Sequence, residues 1–363
     1  MVRNKEKKIR VAVIGSQGVP AQYGGFETLV ENIISHRSDN VLYTIFCSRP
    51  DMDTDLSSYK GCRLEYISMR AHGIMSVPYD ILSMIKAIRG YDVLLILGVS
   101  GCVFLPVIRM LTRAKILVNI DGLEHKREKW NSAAKRYLKF SLGCCIRWAH
   151  EIISDNAGIR DYVIKEYGRE PRLIAYGGDH AVRNVSMPRQ DAILEFYGLK
   201  RGNYDLSISR IEPENNCELT LKAYAETGQR LAYVGNWNHS DFSRDLYNRY
   251  KGIENIRLIK SVYDLDILYS LRANARRYVH GHRAGGTNPS LVEAMFFNMP
   301  IIAFDVVYNR ETTRNRAYYY TDADSLKELI VRNDLEGAAT SSFARREYVW
   351  SSIASEYEAL YIP

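Results

Sequence analysis

The strongest constraint on the fold is the alternation of short apolar segments with amphipathic helices. In the first half, the pattern predicts strands at residues 9–14, 41–47, 63–67, 93–97, 115–120, 152–154 and 172–175, and helices at 26–36 and 133–148. Apolar strands that alternate with helices are typical of a parallel sheet covered by helices. The sequence therefore predicts an α/β protein.

A second alternating series predicts a second domain. Its predicted strands are 204–209, 230–234, 257–260 and 277–280, its helices are 219–227 and 265–273, and a last helix covers about 342–360. Segment 177–202, with Pro188 and mixed charge, is the predicted linker. A chain of 363 residues suits two domains of ~150–200 residues each.

We therefore predict two doubly wound, Rossmann-like domains that face each other across a cleft. The N-terminal domain is assigned residues 1–180 and the C-terminal domain residues 181–345. Residues 346–363 are predicted to form a helix that crosses back to the N-terminal domain. Ligands of such folds bind outside the carboxyl ends of the strands.

The composition is that of a soluble protein, with 46% hydrophobic and 25% charged residues. Segment 93–111 is nearly all apolar, but its glycines and proline favour a buried strand and a short helix over a membrane span. The charged N-terminus has no signal peptide pattern, so a cytoplasmic location is expected. The cysteines form no C-x-x-C pair and are predicted to be reduced core thiols: Cys47, Cys62, Cys102, Cys144, Cys145 and Cys217. The net charge of +7 fits an anionic ligand or an anionic membrane surface.

A loop, helix and strand at residues 285–304 can hold both halves of a sugar nucleotide. Glycines open the predicted helix, whose N-terminus offers N–H groups and partial positive charge to a diphosphate. Glu293, about two turns into the helix, can accept two hydrogen bonds from a ribose diol. The alternative is an ordinary loop–helix–strand unit with one surface glutamate.

The loop after the first strand, residues 15–28, is longer than the G-x-G-x-x-G dinucleotide fingerprint. Gly24 and Gly25 lie at the mouth of the next helix, where glycine lets backbone N–H groups approach an oxyanion. Alternatively, these glycines serve only a tight turn.

Two carboxylates, Asp121 and Glu124, follow another predicted strand. They can receive a proton or orient a hydroxyl group, although Asp121 can instead cap a helix. The basic segment that follows can meet lipid phosphates or form a solvated face; it comprises Lys126, Arg127, Lys129, Trp130, Lys135, Arg136, Lys139 and Arg147.

In the second half, Arg210 follows a predicted strand and can grip a diphosphate with two hydrogen bonds. A surface salt bridge is the alternative for this residue. His282 and Arg283 can contact a leaving phosphate, or the histidine can be structural. The D-x-D spelling at residues 322–324 falls in a predicted surface turn, and no metal ion is expected.

Three motifs resemble those of a bacterial rhamnosyltransferase-like subgroup of the retaining GT-B glycosyltransferases of family four. The first is G-[ST]-x-G-V-P-A-x-Y-G-G-F-E-T at residues 15–28. The second is N-x-D-G-L-E-x-x-R-x-K-W at 119–130, and the third is G-G-T-N-P-S-L-V-E-A-M at 285–295. The resemblance covers almost the whole chain.

The resemblance implies roles at the matching positions. Asp121 is expected on the acceptor side of the reacting centre, with Glu124 as a further catalytic candidate, and Arg210 is expected at the diphosphate as both a catalytic and a donor-binding residue. The other expected donor contacts are Gly24, Gly25, His282, Asn288, the backbone amides of Leu291 and Val292, and Glu293, which binds the ribose.

The chain departs from the wider family at two positions. Asn215 stands where a lysine usually follows the arginine by five residues, and Gly285 stands where an E-x7-E pair usually has its first glutamate. The loss of the lysine removes a cation from the phosphate site, and the loss of the glutamate removes a contact to the transferred sugar. The rhamnosyltransferase-like subgroup resembles this chain in both departures.

The expected function is therefore a retaining, metal-independent hexosyltransferase of surface polysaccharide synthesis, such as that of a capsule. Its donor would be a nucleotide sugar such as dTDP-L-rhamnose, its acceptor a lipid-linked saccharide, and its location the cytoplasmic face of the membrane. No cofactor beyond this donor and no nucleic-acid partner are expected. The alternatives are a nucleotide-sugar epimerase and a non-catalytic partner that binds nucleotide sugar beside an active transferase.

Overall fold

The computed structural model describes residues 8–21, 24–127 and 130–362. Gln22 and Tyr23 of the first motif and Lys129 of the basic segment lie outside the described residues, as does most of the charged N-terminal segment. The chain divides into two compact units. The first comprises Met1–Ala175 with Trp350–Pro363, and the second is Tyr176–Val349. The predicted boundaries were residues 180/181 and 345/346.

Within the described ranges, the first unit contains a sheet of eight strands in the order β3-β4-β2-β1-β5-β6-β7-β8. All neighbouring strands are parallel except β3 and β4. The strands are β1 (Ile9–Ile14), β2 (Val41–Ser48), β3 (Ser58–Tyr59), β4 (Cys62–Ile67), β5 (Val93–Leu97), β6 (Lys115–Asn119), β7 (Glu151–Ser154) and β8 (Arg172–Leu173). The helices are α1 (Gly25–Ser35), α2 (Ser76–Lys86), α3 (Leu105–Leu111), α4 (Ser132–Trp148), α5 (Ala157–Tyr167) and, from the C-terminus, α14 (Trp350–Ala359).

The second unit has, in the described part of the chain, a parallel sheet of six strands in the order β11-β10-β9-β12-β13-β14. The strands are β9 (Asp205–Ile208), β10 (Leu231–Gly235), β11 (Ile256–Lys260), β12 (Arg277–His280), β13 (Ile301–Phe304) and β14 (Tyr318–Tyr320). The helices are α6 (Met187–Phe196), α7 (Cys217–Thr227), α8 (Asp241–Tyr250), α9 (Leu265–Ala273), α10 (Pro289–Met295), α11 (Val307–Thr313), α12 (Ala323–Val331) and α13 (Ala338–Glu347).

Local sequence explains where these elements begin and end. Every residue of β5 is buried, as expected for a parallel strand with helices on both faces. The Asn156 side chain accepts a hydrogen bond from the Gly158 N–H and so caps α5, which ends at the left-handed Gly168. Ser240 and Ser243 form a reciprocal capping box at the start of α8.

Two predictions about helices are wrong. The predicted linker at 177–202 contains α6, which accommodates Pro188 because proline lacks only an N–H that the first helical turn does not use. The last helix, predicted at about 342–360, is two helices, α13 and α14. The break falls at Tyr348, whose hydroxyl donates a hydrogen bond to the Thr312 carbonyl oxygen.

The apolar run 93–111 divides into strand β5 and helix α3, as predicted. None of the helices in the described residues combines the length and the apolar character needed to cross a bilayer. All six cysteines lie in the described part and carry free thiols; Cys144 is half-buried and the others are buried. Asp322, from the D-x-D spelling, accepts a hydrogen bond from the Ser325 N–H and caps α12.

Candidate functional site

In the first unit, the two loops that carry predicted site residues follow β1 and β6. Only β5 lies between these strands, and all three are parallel. Their carboxyl ends therefore meet at one edge of the sheet, which is where α/β proteins bind ligands.

Gly24 forms the turn into α1 with a φ of +124°, in the region that favours glycine. A Cβ atom added here would collide with the carboxylate of Glu27. Gly25 is the first residue of α1. These observations favour the tight-turn interpretation of the glycine pair, and its role as a donor contact remains a prediction.

Glu27 is a buried carboxyl group to which the sequence analysis assigned no role. Its Oε1 accepts a hydrogen bond from the Gln17 N–H at 2.7 Å. Burial, with a smaller contribution from the negative charges of Asp121 and Asp51, raises the pKa of Glu27 to about 7. Carboxyl groups that titrate near neutrality concentrate at functional sites. One feature of the sequence could have identified Glu27, namely an acidic residue that closely follows two glycines at the start of a predicted helix.

Asp121 has a left-handed backbone, with a φ of +50°. Its N–H donates a hydrogen bond to Asn119 Oδ1 at 2.9 Å, and Asn119 Nδ2 donates to the Tyr357 hydroxyl on α14 at 2.7 Å. The helix-cap alternative is wrong, because Leu123 precedes the next helical turn and Asn131 caps α4. Such uncommon backbone conformations recur at functional sites.

Both carboxylate oxygens of Glu124 contact residues of its own segment. Arg127 forms an ion pair with Oε1 at 2.8 Å, and Trp130 Nε1 donates a hydrogen bond to Oε2 at 3.0 Å. This geometry favours a role for Glu124 in holding the loop after Asp121. Its predicted catalytic role has no support from these contacts.

The basic segment has two parts in the structure. The Lys126 ammonium lies 4.0 Å from the centre of the Tyr162 ring, a cation–π contact. Farther along, α4 presents an outer face that consists of the exposed Arg136, Lys139, Phe140 and Arg147. The Phe140 side chain is 66% exposed, so an apolar ring lies among three cations.

In the second unit, Arg210 lies two residues after the end of strand β9. Its guanidinium nitrogens lie 3.8 Å from Glu212 Oε1 and 3.9 Å from Glu214 Oε1, distances of ion pairs without close hydrogen bonds. The side chain remains 36% exposed. The salt-bridge alternative is thus present in part, and the loose pairing leaves the guanidinium accessible to an anion.

Glu293 is held between an arginine and a histidine. Arg272, whose side chain is 2% exposed, donates a hydrogen bond to Oε2, and His180 Nε2 lies 3.3 Å from Oε1. Burial alone would raise the pKa of Glu293, but the charges and hydrogen bonds of Arg272 and His180 outweigh it, so the pKa lies below its ordinary value. The carboxylate is therefore ionised at neutral pH. It is not the isolated surface glutamate of the alternative interpretation.

The start of α10 differs from the prediction. The Asn288 side chain accepts a hydrogen bond from the Ser290 N–H. The main-chain carbonyl oxygen of Asn288 accepts hydrogen bonds from the N–H groups of Leu291 and Val292. Pro289 has no N–H. The free N–H groups expected at this helix start are therefore not found, while the donor-binding roles of Asn288, Leu291 and Val292 remain predictions.

The structure explains both departures from the wider family. Gly285 has a φ of +114°, so a glutamate at this position would strain the backbone. Asn215 is buried and hydrogen-bonded to His282, with 2.5 Å between Oδ1 and Nδ1. His282, buried itself, thus joins the loop of Arg210 to the loop of Gly285.

Sequence comparisons divide the chain much as the structure does. Residues 8–179 match the model of a domain of unknown function (DUF1972), and residues 190–331 match the model described as glycosyl transferases group 1. Arg210, His282 and Glu293 all lie within the second of these matched segments. No curated protein matches the chain in sequence.

Solved structures resemble the chain over nearly its full length. Sucrose-phosphate synthase from Thermosynechococcus elongatus has a TM-score of 0.81 at 16% identity, with 98% of each chain covered. HepE of Anabaena in complex with UDP-glucose has a TM-score of 0.78 at 14% identity, with 97% of this chain and 98% of that chain covered. A glycosyltransferase from Rickettsia africae has a TM-score of 0.69 at 14% identity, with 98% of both chains covered. These similarities confirm the predicted two-domain α/β fold of the GT-B type.

Proposed function

We propose that the chain is a glycosyltransferase that takes its sugar from a nucleoside diphosphate donor. One observation carries this proposal. Within residues 190–331, the segment that matches the glycosyl transferases group 1 model, Arg210 follows β9, and His282 and Glu293 follow the adjacent strand β12. Cationic and carboxylate side chains thus occur together at the carboxyl edge of one parallel sheet, where nucleotides bind in α/β folds.

The chemistry of these groups matches the two halves of such a donor. An ionised carboxylate accepts hydrogen bonds from both hydroxyls of a diol, and Glu293 is kept ionised by Arg272 and His180. The guanidinium of Arg210 offers paired N–H groups to a diphosphate. We assign the ribose to Glu293 and the diphosphate to Arg210, with His282 as its neighbour.

In the proposed reaction, the bond between the anomeric carbon and the diphosphate oxygen breaks, and its electron pair leaves with the nucleoside diphosphate. Arg210 stabilises the charge that develops there. The acceptor hydroxyl forms the new bond to the anomeric carbon and gives up its proton, which we assign to Asp121. We further propose retention of configuration, which the resemblance of the three motifs implies. We also propose no requirement for a metal ion, because the D-x-D spelling at residues 322–324 falls in a predicted surface turn.

The proposed donor is dTDP-L-rhamnose and the proposed acceptor a lipid-linked saccharide. The sugar rests on the resemblance of the motifs. UDP-glucose, which is bound in the HepE structure, is the appropriate comparison donor. The lipid acceptor is supported by the outer face of α4, where Phe140 lies among Arg136, Lys139 and Arg147. Such a face suits the surface of an anionic membrane.

The test is a thermal-shift screen with UDP-, GDP- and dTDP-sugars without added metal, because a bound donor stabilises the folded protein. A selective shift with dTDP-rhamnose supports the proposed donor. A shift with another donor overturns the sugar but keeps the class of enzyme. If none of these donors shifts the melting temperature, the proposed function fails.

Transfer is then assayed with the donor that binds and a lipid-linked saccharide. The Glu293→Gln variant is expected to raise the KM for the donor, whereas Glu328→Gln, on the exposed face of α12, is the control. Donor binding without transfer favours the non-catalytic alternative. Conversion of the donor to an epimeric nucleotide sugar favours the epimerase.

A further inference from the structure

Two loops of the second unit are tied together beside the proposed donor site. The loop after β9 carries Arg210, and the loop after β12 carries His282. The Asn216 side chain donates a hydrogen bond to the Gly281 carbonyl oxygen at 2.9 Å, and the Arg283 N–H donates to the Glu214 carbonyl oxygen at 3.0 Å. The two loops therefore form one connected segment.

Asn215 lies at the centre of this connection. Its Nδ2 donates a hydrogen bond to the Arg210 carbonyl oxygen at 2.7 Å, and its Oδ1 lies 2.5 Å from His282 Nδ1. A Cβ atom added to Gly281 would collide with the main-chain oxygen of Asn215. The glycine thus permits the close approach of the two loops.

These contacts determine the tautomer of the histidine. A carbonyl oxygen only accepts hydrogen bonds, so the group that faces Arg210 O must be the NH2 of Asn215. The amide oxygen of Asn215 then faces His282. Because this oxygen accepts the hydrogen bond, His282 Nδ1 must carry the proton. His282 is therefore the Nδ1–H tautomer, in which Nε2 carries no proton when the ring is neutral.

Asn215 and His282 are both buried where the two loops meet. Its exposed fraction is 3%, and that of His282 is 5%. The histidine backbone is fixed as well, because Asn309 Nδ2 donates hydrogen bonds to the carbonyl oxygens of His282 and Phe304 at 2.8 and 2.9 Å. A lysine at position 215 would bring an ammonium group next to the buried Nδ1–H donor of His282. An ammonium group cannot accept the hydrogen bond that the Asn215 amide oxygen accepts there.

We propose that Asn215 is a positioning residue that fixes His282 as its Nδ1–H tautomer and joins the Arg210 loop to the His282 loop. It occupies the position where the wider family has a lysine, but it acts through the histidine. This inference rests on the proposed function in one respect only, namely that the joined loops hold the diphosphate of the donor.

The tautomer is tested by NMR of the full chain labelled with ¹⁵N-histidine, and the His282→Gln variant assigns the signal. The expected spectrum shows His282 with its proton on Nδ1, and the Asn215→Ala variant is expected to lose this hydrogen-bonded proton. Asn216→Gly is the matched control. It removes the bond to Gly281 and keeps the left-handed backbone, with a φ of +49° in the native chain. An Nε2–H tautomer in the wild-type protein overturns the proposal, even if the variants fold poorly.

Binding of dTDP and UDP by calorimetry tests the link to the donor. The Asn215→Lys variant is expected to bind both nucleotides roughly tenfold more weakly or worse, because a buried hydrogen bond is replaced by an unpaired charge. Equal or tighter binding overturns the proposal, since the position would then face the phosphates. If the wild-type protein binds neither nucleotide, the proposed function fails, and the NMR result still decides the role of Asn215.

Discussion

Arg272 and Glu293 form a buried ion pair in the second unit, 21 residues apart in the sequence. The Arg272 side chain is 2% exposed and the Glu293 side chain 14%. His180 contacts the other carboxylate oxygen. The residue proposed to bind the ribose is therefore ionised and oriented before a donor arrives, which reduces the cost of ordering it on binding.

Replacement of Arg272 by glutamine is expected to destabilise the fold. Removal of one partner from a buried pair leaves an uncompensated charge, which costs about 3–5 kcal/mol. The pKa of Glu293 should then rise, because burial is no longer outweighed by the arginine. The measurement is the free energy of unfolding in urea, together with the KM for the donor.

The matched control is Arg314→Gln, since Arg314 pairs with Glu347 at the surface, where the side chains are 52% and 41% exposed. Loss of such a pair costs about 0–1 kcal/mol. Equal effects of the two substitutions would contradict the role assigned to Arg272.

Glu27 predicts a pH dependence of stability in the first unit. Its pKa rises from the ordinary 4.5 to about 7, so the folded state favours the protonated carboxyl group. The contribution of Glu27 to the free energy of unfolding is fully present below pH 4.5 and is lost as the pH rises through about 7. The shift from 4.5 to about 7 corresponds to roughly 3–4 kcal/mol as an upper limit, at about 1.4 kcal/mol for each pKa unit.

The Glu27→Gln variant keeps an oxygen for the Gln17 N–H and cannot ionise. Its unfolding free energy should therefore change less than that of the wild-type protein between pH 4.5 and about 7. Glu166→Gln, at an exposed position on α5, serves as control and should keep the wild-type slope. A Glu27→Gln protein with an unchanged slope would show that folding does not raise the pKa of Glu27.

The strands could be predicted from the sequence better than the site. Residues 93–97 were predicted as a strand with the bounds of β5, because a parallel strand buried on both faces is a continuous apolar run. The partners of Glu293 were not predicted, since an arginine 21 residues earlier gives no local pattern. The same holds for Asn215 and His282, which are 67 residues apart.

Substitution of Asp121 is expected to lower turnover without weakening donor binding. Asparagine tolerates the left-handed backbone, so Asp121→Asn removes the charge and preserves the φ of +50°. Loss of a group that accepts a proton typically lowers kcat by about 10²–10⁴. Turnover is measured with the donor identified in the thermal-shift screen, and donor binding should stay unchanged.

Asp161→Asn is the control for this comparison, since Asp161 pairs with Arg160 at the surface of α5. If Asp121→Asn retains full turnover, Asp121 does not receive the proton of the acceptor. Glu27 would then be the next carboxyl group to test at this edge of the sheet.

The outer face of α4 predicts binding to anionic membranes. Arg136, Lys139 and Phe140 are all exposed on this face of α4. Two cations and an apolar ring therefore point away from the core together. Each cation near an anionic surface contributes about 1 kcal/mol. Co-sedimentation with vesicles that contain phosphatidylserine should therefore fall by roughly tenfold or more when both residues are changed to glutamate.

Lys200→Glu, an exposed change in the second unit, should leave sedimentation nearly intact. Equal loss in the two variants would mean that net charge, and not this face of α4, determines binding. Retention by vesicles of pure phosphatidylcholine would mean that Phe140 and other apolar contacts outweigh the charges.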